Sequence, residues 1–306
     1  MWFLKLIRFH NLLIMGAIQT VIFYQINLKS LIRGQIYPES PLLIFAIIIT
    51  GTIIIGATGN IWNDYNDLQI DRINRPQKVY IDNQIKSKHA SLLVAIIAIV
   101  GILCALLLTF ITGNLWILAL FICSTVMLYF YSTTWKKKPL VGNIAVSFLC
   151  SLVVGLTALL LIDEFKKLAS QDQVVFRNWS LSFGAFCCFA FLGTFSREMI
   201  KDLEDYKGDS LLGLQTYPIS TSIPRSKNLI RLNNVFLFIL ITVCSMVLWP
   251  KLSLTGIIYM ATLLLFLSLL QYLLLKAENS SDYHRLSTYW KYFFLFGMGF
   301  AFITPI

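Results

Sequence analysis

The sequence predicts an all-α integral membrane protein. Of its 306 residues, 57% are hydrophobic and only 13% are charged, whereas a soluble domain has about a quarter charged residues. The apolar residues lie in continuous runs and lack the alternation of a membrane β-barrel. The net charge of +10 is spread between these runs without a basic tail. We therefore attribute it to membrane topology and expect no nucleic-acid partner.

Nine segments are long and apolar enough to be membrane-spanning helices, since such a helix needs about 20 mostly apolar residues. In chain order they are 9–27, 41–60, 91–112, 114–132, 139–161, 178–196, 229–249, 252–275 and 288–305. Only the Gly113-Asn114 region separates the third segment from the fourth, which predicts a tight hairpin. The ninth contains Gly297 and Gly299, which membrane helices tolerate. We predict a single polytopic domain, one nine-helix bundle over residues 1–306.

The distribution of charge predicts the orientation of the chain. If the N-terminus is cytoplasmic and nine helices alternate, 19 of the 25 Lys and Arg residues fall on the cytoplasmic side and six fall outside. Cytoplasmic loops of membrane proteins carry an excess of these cations. Eleven of the fifteen acids lie on the same side, most of them after the second and sixth spans. We therefore expect a protein of the cell or inner membrane whose N-terminus and active site are cytoplasmic.

The first acidic cluster follows the second span. If that helix continues, Asn63, Asp67 and Asp71 are spaced i, i+4, i+8, and Asp64 joins the same face. Like charges at this spacing repel one another unless a cation neutralises them. Carboxylate and amide oxygens are ligands suited to Mg²⁺. The alternative is a solvated loop beyond the end of the helix.

The second acidic cluster follows the sixth span and has three aspartates at spacing i, i+3, i+7, namely Asp202, Asp205 and Asp209. Glu198 extends this face by one turn, while Arg197 and Lys201 form a cationic stripe beside it. Gly208 is placed to end or kink the helix. Two clusters with one spacing on one membrane side predict a pair of Mg²⁺ ions held against a diphosphate, with the clusters facing each other.

A cation-coupled transporter is the alternative from another functional class, because acids within membrane helices mark ion pathways. Here the acids gather at one cytoplasmic edge, whereas transporter sites typically lie near the midplane and are built on internal repeats. The arrangement therefore favours an enzyme.

Several motifs resemble those of one family. The stretch Asn63–Asp71, N-D-x-x-D-x-x-x-D, continues as D-R-I-N-R-P to residue 76. It closely resembles the first signature of the UbiA superfamily of membrane prenyltransferases, and residues 201–209 resemble the second. Weaker matches are R-x-x-N at 8–11, Y-S…K…G-N at 131–143 and the turn at 214–218. The resemblance extends from residue 8 to residue 218.

This resemblance implies Mg²⁺-dependent transfer of a prenyl group from an isoprenyl diphosphate to a lipophilic acceptor within the membrane lipid. It implies six metal ligands: Asn63, Asp67, Asp71, Asp202, Asp205 and Asp209. It implies three residues with catalytic roles: Asp64, Lys201 and Tyr131. It also implies five substrate-binding residues: Arg8, Asn11, Arg72, Lys136 and Asn143.

The second signature, R-E-x-x-K-D-x-E-D-x-x-G-D, looks most like that of geranylgeranylglyceryl phosphate geranylgeranyltransferases. In that branch the prenyl group is geranylgeranyl and the acceptor is the hydroxyl of a prenylglyceryl phosphate. The chain departs from the branch after Arg75-Pro76, where Q-K-V-Y stands in place of I-P-S-G. An aromatic acceptor therefore stays open as an alternative, whether a quinone precursor, chlorophyllide or haem.

Overall fold

The computed structural model describes residues 2–32, 41–74, 76–160, 170, 173–248 and 252–303, and α-helices make up most of this part of the chain. Its helices are α1 (Trp2–Leu6), α2 (Phe9–Ile32), α3 (Pro41–Asn66), α4 (Leu68–Asn74), α5 (Ser87–Thr112), α6 (Leu115–Thr133), α7 (Val141–Leu160), α8 (Gln173–Glu204), α9 (Tyr206–Leu211), α10 (Tyr217–Ser220), α11 (Ile223–Leu248), α12 (Leu254–Lys276), α13 (Ser280–Gly297) and α14 (Phe300–Ile303). Short 3₁₀ turns occupy Pro76–Lys78 and Trp135–Lys137.

Seven helices of the described ranges are long and apolar enough to cross a membrane: α3, α5, α6, α7, α8, α11 and α12. Within the side chains that the structure describes, α2 contributes a further apolar stretch, Phe9–Phe23. Helix α13 begins with the polar run S-S-D-Y-H-R, so it does not qualify by composition. These helices confirm an all-α integral membrane protein, while the count of nine spans stays a prediction.

The predicted hairpin after the third span is confirmed. Gly113 has φ +68°, a left-handed conformation that glycine adopts without steric cost, and its N–H donates to the Thr109 carbonyl. The Asn114 side chain then accepts the N–H of Trp116 and caps α6. This turn reverses the chain within two residues.

Two helices differ from their predicted spans. Helix α8 has 32 residues, about 48 Å of helix, so it exceeds the roughly 30 Å hydrocarbon core and extends into the second acidic cluster. Helix α13 begins at Ser280, eight residues before the predicted ninth span, because Asn279 and Asp282 form a capping box there. It ends at Gly297, and α14 follows separately. The predicted span ends at 161, 249 and 304–305 lie outside the described residues.

The chain divides into two compact units, Met1–Lys136 with Leu156–Ile162, and Lys137–Gly155 with Asp163–Ile306. Each acidic cluster belongs to one unit, the first to unit 1 and the second to unit 2. The prediction of a single polytopic domain over residues 1–306 stays a prediction.

In unit 1, helix α3 packs along α5 and α6 and also against α2. Its fully buried Ile48 belongs to a core that includes Leu108 and Ile117. Near the acidic end of α3, Ile61 packs in a second core with Leu6. Burial of these side chains, at about 1.5–3 kcal/mol each in water and less against lipid, fixes the N-terminal turn beside the first cluster.

In unit 2, helix α8 packs against α11 and α13. Two glycines allow α8 and α13 to approach closely: a Cβ on Gly193 would meet Phe294 at 2.5 Å, and one on Gly297 would meet Phe189 at 2.5 Å. Small residues at such contacts are the usual means by which membrane helices pack, because lipid removes most of the hydrophobic driving force between them.

A buried polar network adds hydrogen bonds to this packing. The Ser196 hydroxyl donates to Asn234 at 2.6 Å, and the Asn233 amide donates to Ser196 at 2.8 Å. Asn234 in turn donates to Gln271 at 2.9 Å. The network ties α8 to α11 and ties α11 in turn to α12, so the helix that carries the second cluster is bonded to a helix that is itself anchored.

Candidate active site

The first acidic cluster is interrupted at its middle aspartate. Helix α3 ends at Asn66, Asp67 forms a turn, and α4 begins at Leu68. The helical bond pattern continues across the turn, because Asp67 N–H donates to Asn63 and Asp71 N–H donates to Asp67, at 2.9 and 2.8 Å. The break is therefore a kink, and the expected i, i+4, i+8 relation survives in altered geometry.

A lysine ammonium contacts the side-chain oxygens of two predicted metal ligands of this cluster. Lys136 Nζ donates to Asp67 Oδ1 and lies 3.3 Å from Asn63 Oδ1. Asn63 Nδ2 also donates to the second Asp67 oxygen at 2.8 Å, which orients the amide carbonyl toward the ammonium. Two hard oxygens thus converge on one cationic group, which is the arrangement a Mg²⁺ ligand pair requires.

Asp64 points to a different cation. Arg8 Nη2 donates to Asp64 Oδ1 at 2.6 Å, and this carboxylate raises the pKa of the Arg8 guanidinium. Asp71 and Tyr131 lie near enough to raise it further. The pairing indicates that Asp64 orients Arg8, so both residues flank the cluster instead of converging on its lysine.

The backbone around Arg8 is shaped for this contact. Arg8 has φ +52°, an uncommon conformation for a residue with a side chain. The Asn60 amide, one turn before Asp64, donates to the Ile7 carbonyl at 2.8 Å. Asn11 N–H donates to the Arg8 carbonyl at 2.8 Å and starts α2. Neighbouring turns of α3 therefore hold the α1–α2 junction, and the predicted residue Asn11 lies within it.

Arg72 lies on the exposed side of unit 1. Its guanidinium approaches Asp82 at 3.4 Å, and its side chain is 61% exposed. Asp82 has φ +69° and accepts hydrogen bonds from the Ser87 hydroxyl and N–H. Asp82 therefore organises the loop that departs from the resembled branch, and the structure pairs Arg72 with this loop.

An aromatic group lies beside the first cluster. Trp62 stacks on Tyr65 with ring centroids 5.4 Å apart and on Tyr129 at 5.8 Å. Trp62 and Tyr65 belong to the same stretch of α3 as Asn63 and Asp64 and also pack against the core around Leu6 and Ile61. Electron-rich aromatic faces attract a developing carbocation.

The second acidic cluster is interrupted at the same relative position. Helix α8 ends at Glu204, Asp205 adopts a bend, and α9 begins at Tyr206. Gly208, the predicted kink, lies inside α9, so the predicted location of the break is three residues too late. Asp209 N–H donates to the Asp205 carbonyl at 3.1 Å, and Asp209 is buried.

Two cations and one amide contact the acids of the second cluster. Glu198 is buried and accepts bonds from Arg197 at 2.9 Å and from Lys201 at 2.8 Å. Asn143 Nδ2 donates to Asp202 Oδ2 at 2.9 Å. A buried carboxylate requires such partners, so Glu198 fixes both cationic side chains. The Nε–H of Arg197 is buried and has no hydrogen-bond partner among the described residues.

The donor chemistry of both clusters fits Mg²⁺. Within the described ranges, no group of three or more His, Cys, Asp or Glu residues lies close enough to form a complete ligand set. Mg²⁺ usually takes one or two carboxylates and completes its shell with substrate phosphate and water. Few protein ligands and nearby cations therefore suit a metal–phosphate complex better than an all-protein cage.

Comparison with known proteins gives the family. Residues 34–298 match the UbiA prenyltransferase family. The chain belongs to this family. It is therefore a prenyltransferase, and this family assignment excludes the transporter alternative.

Relatives of this chain include digeranylgeranylglyceryl phosphate synthases. That of Methanosarcina mazei is 30% identical over 221 residues, which are 71% of this chain and 70% of the relative. That of Methanoculleus marisnigri is 31% identical over 224 residues, 73% of this chain and 70% of the relative. The match to the enzyme of Sulfurisphaera tokodaii is 26% identical and covers 92% of this chain and 91% of the relative.

Solved structures confirm the UbiA fold. A digeranylgeranylglyceryl phosphate synthase in membranes has a TM-score of 0.65 at 22% identity, covering 99% of this chain and 97% of its own. A UbiA homolog from Archaeoglobus fulgidus, bound to DMAPP and Mg²⁺, has a TM-score of 0.62 at 13% identity, covering 99% and 100%. At these identities the likeness concerns the fold alone.

Structure adds residues that sequence reasoning missed. Glu198 was placed on the acidic face, but its role as a clamp on Arg197 and Lys201 needs the fold. Asn60 acts through its hydrogen bond to the Ile7 carbonyl, which is distant in sequence. Asp82 acts through its contacts with Arg72 and Ser87. The sequence could have pointed to Asp82, because it lies in the loop that differs from the resembled branch. Asn60 is a single Asn near the end of an apolar helix, and such a residue carries little information.

Proposed function

We propose that this prenyltransferase transfers a geranylgeranyl group from geranylgeranyl diphosphate to the hydroxyl of a prenylglyceryl phosphate, with Mg²⁺ as cofactor. The observation that carries the acceptor class is the identity of 30–31% with digeranylgeranylglyceryl phosphate synthases over more than two thirds of both chains. An aromatic acceptor is the alternative within the family.

The proposed ligands of Mg²⁺ are the acids and amide of the two clusters: Asn63, Asp67, Asp71, Asp202, Asp205 and Asp209. The bound metal would neutralise diphosphate charge and so stabilise the leaving group. Support comes from the convergence of Asn63 and Asp67 on a cation and from the Mg²⁺ bound to the Archaeoglobus fulgidus homolog. That the two clusters face each other stays a prediction.

Basic side chains then bind the phosphates. Lys136 and Lys201 are held beside acids, and the Arg197 Nε–H adds a buried donor that has no acceptor within the described part of the chain. Charge-assisted donors of this kind bind phosphate oxygens strongly. Arg72 and Arg8 complete the proposed set, Arg72 from helix α4 and Arg8 from the α1–α2 junction.

In the transfer step the allylic C–O bond of the donor breaks and diphosphate leaves with the bonding electrons. The acceptor oxygen forms the new C–O bond and releases its proton. Trp62, Tyr65 and Tyr129 offer electron-rich faces to the allylic cation. Tyr131 and Asp64, both close to Arg8, are the proposed catalytic groups, while Asn143 orients Asp202.

The test is a product assay with the purified full chain in lipid vesicles. Geranylgeranyl diphosphate is offered with geranylgeranylglyceryl phosphate or with 4-hydroxybenzoate, and products are identified by mass spectrometry. We expect ether product from the first acceptor, with diphosphate release that requires Mg²⁺ and is lost in Asp67→Ala and Asp205→Ala. Glu278→Ala, an exposed acid outside both clusters, is the matched control. Turnover of the aromatic acceptor alone would refute the proposed acceptor, and unchanged release in both aspartate variants would refute the metal site.

We further propose nine spans with the N-terminus and active site in the cytoplasm, on the strength of the cation distribution. In a cysteine-free background, Lys138→Cys should react with an impermeant maleimide in inside-out vesicles, and Asn114→Cys should react in right-side-out vesicles. The reverse pattern would invert the orientation.

A further inference from the structure

The bend in the second acidic cluster is held from outside by one helix. At the end of α8, the Glu204 carbonyl accepts a hydrogen bond from the Ser280 hydroxyl at 2.9 Å. The Glu204 carboxylate bonds His284 Nδ1 at 2.8 Å. Ser280 and His284 are four residues apart on α13 and so share one face. In a continuous helix the Glu204 carbonyl would accept the N–H of Gly208, and Ser280 uses this acceptor instead.

The turn that presents these two side chains is itself fixed. The Asn279 side chain accepts Asp282 N–H at 3.1 Å, and Asp282 accepts Asn279 N–H at 3.3 Å, which completes the capping box. Lys227 of α11 donates to the Ala277 carbonyl at the end of α12. Tyr283 is buried and donates to the same carbonyl at 3.3 Å. The start of α13 is therefore tied to α11 and α12 as well as to α8.

We propose that Ser280 and His284 are positioning residues for Asp205 and Asp209. Both act through Glu204, whose carbonyl begins the peptide bond to Asp205. A displacement of this peptide moves Asp205 directly, and it moves Asp209 through the hydrogen bond from Asp209 N–H to the Asp205 carbonyl. Metal–phosphate chemistry is sensitive to misplacement by about 1 Å. This inference rests on the proposed function, which assigns Asp205 and Asp209 as Mg²⁺ ligands.

The experiment measures prenyl transfer by the full chain in vesicles as a function of Mg²⁺ concentration. In the double variant Ser280→Ala/His284→Ala we expect the half-saturating Mg²⁺ concentration to rise roughly tenfold, the equivalent of two lost hydrogen bonds. The rate at saturating Mg²⁺ should change by less than about threefold, because the ligands themselves remain. Relative to this double variant, Ser280→Ala/His284→Gln should restore much of the lost Mg²⁺ affinity, since the amide introduced at position 284 also donates to Glu204.

Thr288→Ala is the matched control, because it loses only a hydroxyl bond to the carbonyl of its own helix. A lower thermal midpoint with an unchanged Mg²⁺ dependence would overturn the inference, since it describes a purely structural contact. If the double variant does not fold, the half-saturating Mg²⁺ concentration is compared between the single variants His284→Ala and His284→Gln instead.

Asp205→Asn separates failure of the inference from failure of the proposed function. Loss of transfer in Asp205→Asn with wild-type behaviour of the Ser280 and His284 variants would overturn the positioning role alone. Wild-type Mg²⁺ dependence in Asp205→Asn would overturn the ligand assignment on which it rests.

Discussion

Replacing Lys136 by methionine should increase the affinity of the first acidic cluster for Mg²⁺ and, at the same time, decrease prenyl transfer. In the structure the ammonium binds the Asp67 and Asn63 oxygens that are the proposed metal ligands. Mg²⁺ must therefore displace Lys136 before it binds there. Methionine keeps the length and apolar stem of the side chain but removes this competition, and it also removes a cation from the diphosphate.

The magnitude follows from the burial of the pair. The side chains of Lys136 and Asp67 are only 11% and 13% exposed, so the effective dielectric constant is well below that of water. Unit charges about 4 Å apart interact with about 4 kcal/mol at an effective dielectric constant near 20. The cost of desolvating the ammonium offsets roughly half of this. About 2 kcal/mol remains, which is roughly a 30-fold change in the Mg²⁺ dissociation constant.

The assay is a Mg²⁺ titration of the detergent-solubilised full chain without diphosphate, followed by isothermal calorimetry or by the thermal unfolding midpoint. Wild type and Lys136→Met are compared with Lys138→Met, which removes an equal charge at an exposed position, and with Asp67→Asn. We expect tighter binding only in Lys136→Met and weaker binding in Asp67→Asn. Equal or weaker Mg²⁺ binding in Lys136→Met would refute the idea that lysine and metal compete for the same oxygens.

Three further predictions concern stability. Asn234→Leu should lower the free energy of unfolding by about 1–3 kcal/mol, because it leaves buried partners of the α8–α11–α12 network unpaired; unfolding in mixed micelles measures this. Gly297→Ala should cost roughly 1–3 kcal/mol, because the new Cβ would meet Phe189 at 2.5 Å, and an unchanged thermal midpoint would contradict the packing. The pKa of Asp282 lies below its ordinary value of 3.8, first because its carboxylate accepts the Glu278 N–H. The contribution of the Asp282 carboxylate to folding stability is therefore fully present above the pKa of the unfolded state and is lost as pH falls through the pKa of the folded state. Asp282→Ala should lower the thermal midpoint at pH 7 but match wild type in strong acid.

The sequence was sufficient to predict the membrane class and most helices, because long apolar runs carry a strong signal. It located the hairpin at Gly113 and the start of α2 at Phe9. At the end of α8 it expected the helix to end or kink at Gly208, whereas the helix already ends at Glu204. It also failed at the start of α13, because a polar first turn hides a helix that its capping residues begin at Ser280.

At the site, sequence spacing identified both clusters, but it treated the first as one straight helical face and placed the break of the second at Gly208. The structure breaks each face at its middle aspartate, Asp67 and Asp205, and nothing in the spacing signals these kinks. Partners were harder still. The contacts of Lys136 with Asp67 and of His284 with Glu204 join residues 69 and 80 positions apart, so only the packing of helices determines them.

The local pairing of charges in unit 1 has a consequence for biosynthesis. A chain is made from its N-terminus and its parts fold in that order. The cations that contact Asp64 and Asp67 are Arg8 and Lys136, so both are already synthesised once the chain has reached residue 136. A nascent chain of that length therefore carries neutralising partners for its own acids before Asp202–Asp209 has been translated. The pairing of Asp64 and Asp67 therefore depends on no residue that is translated after Lys136.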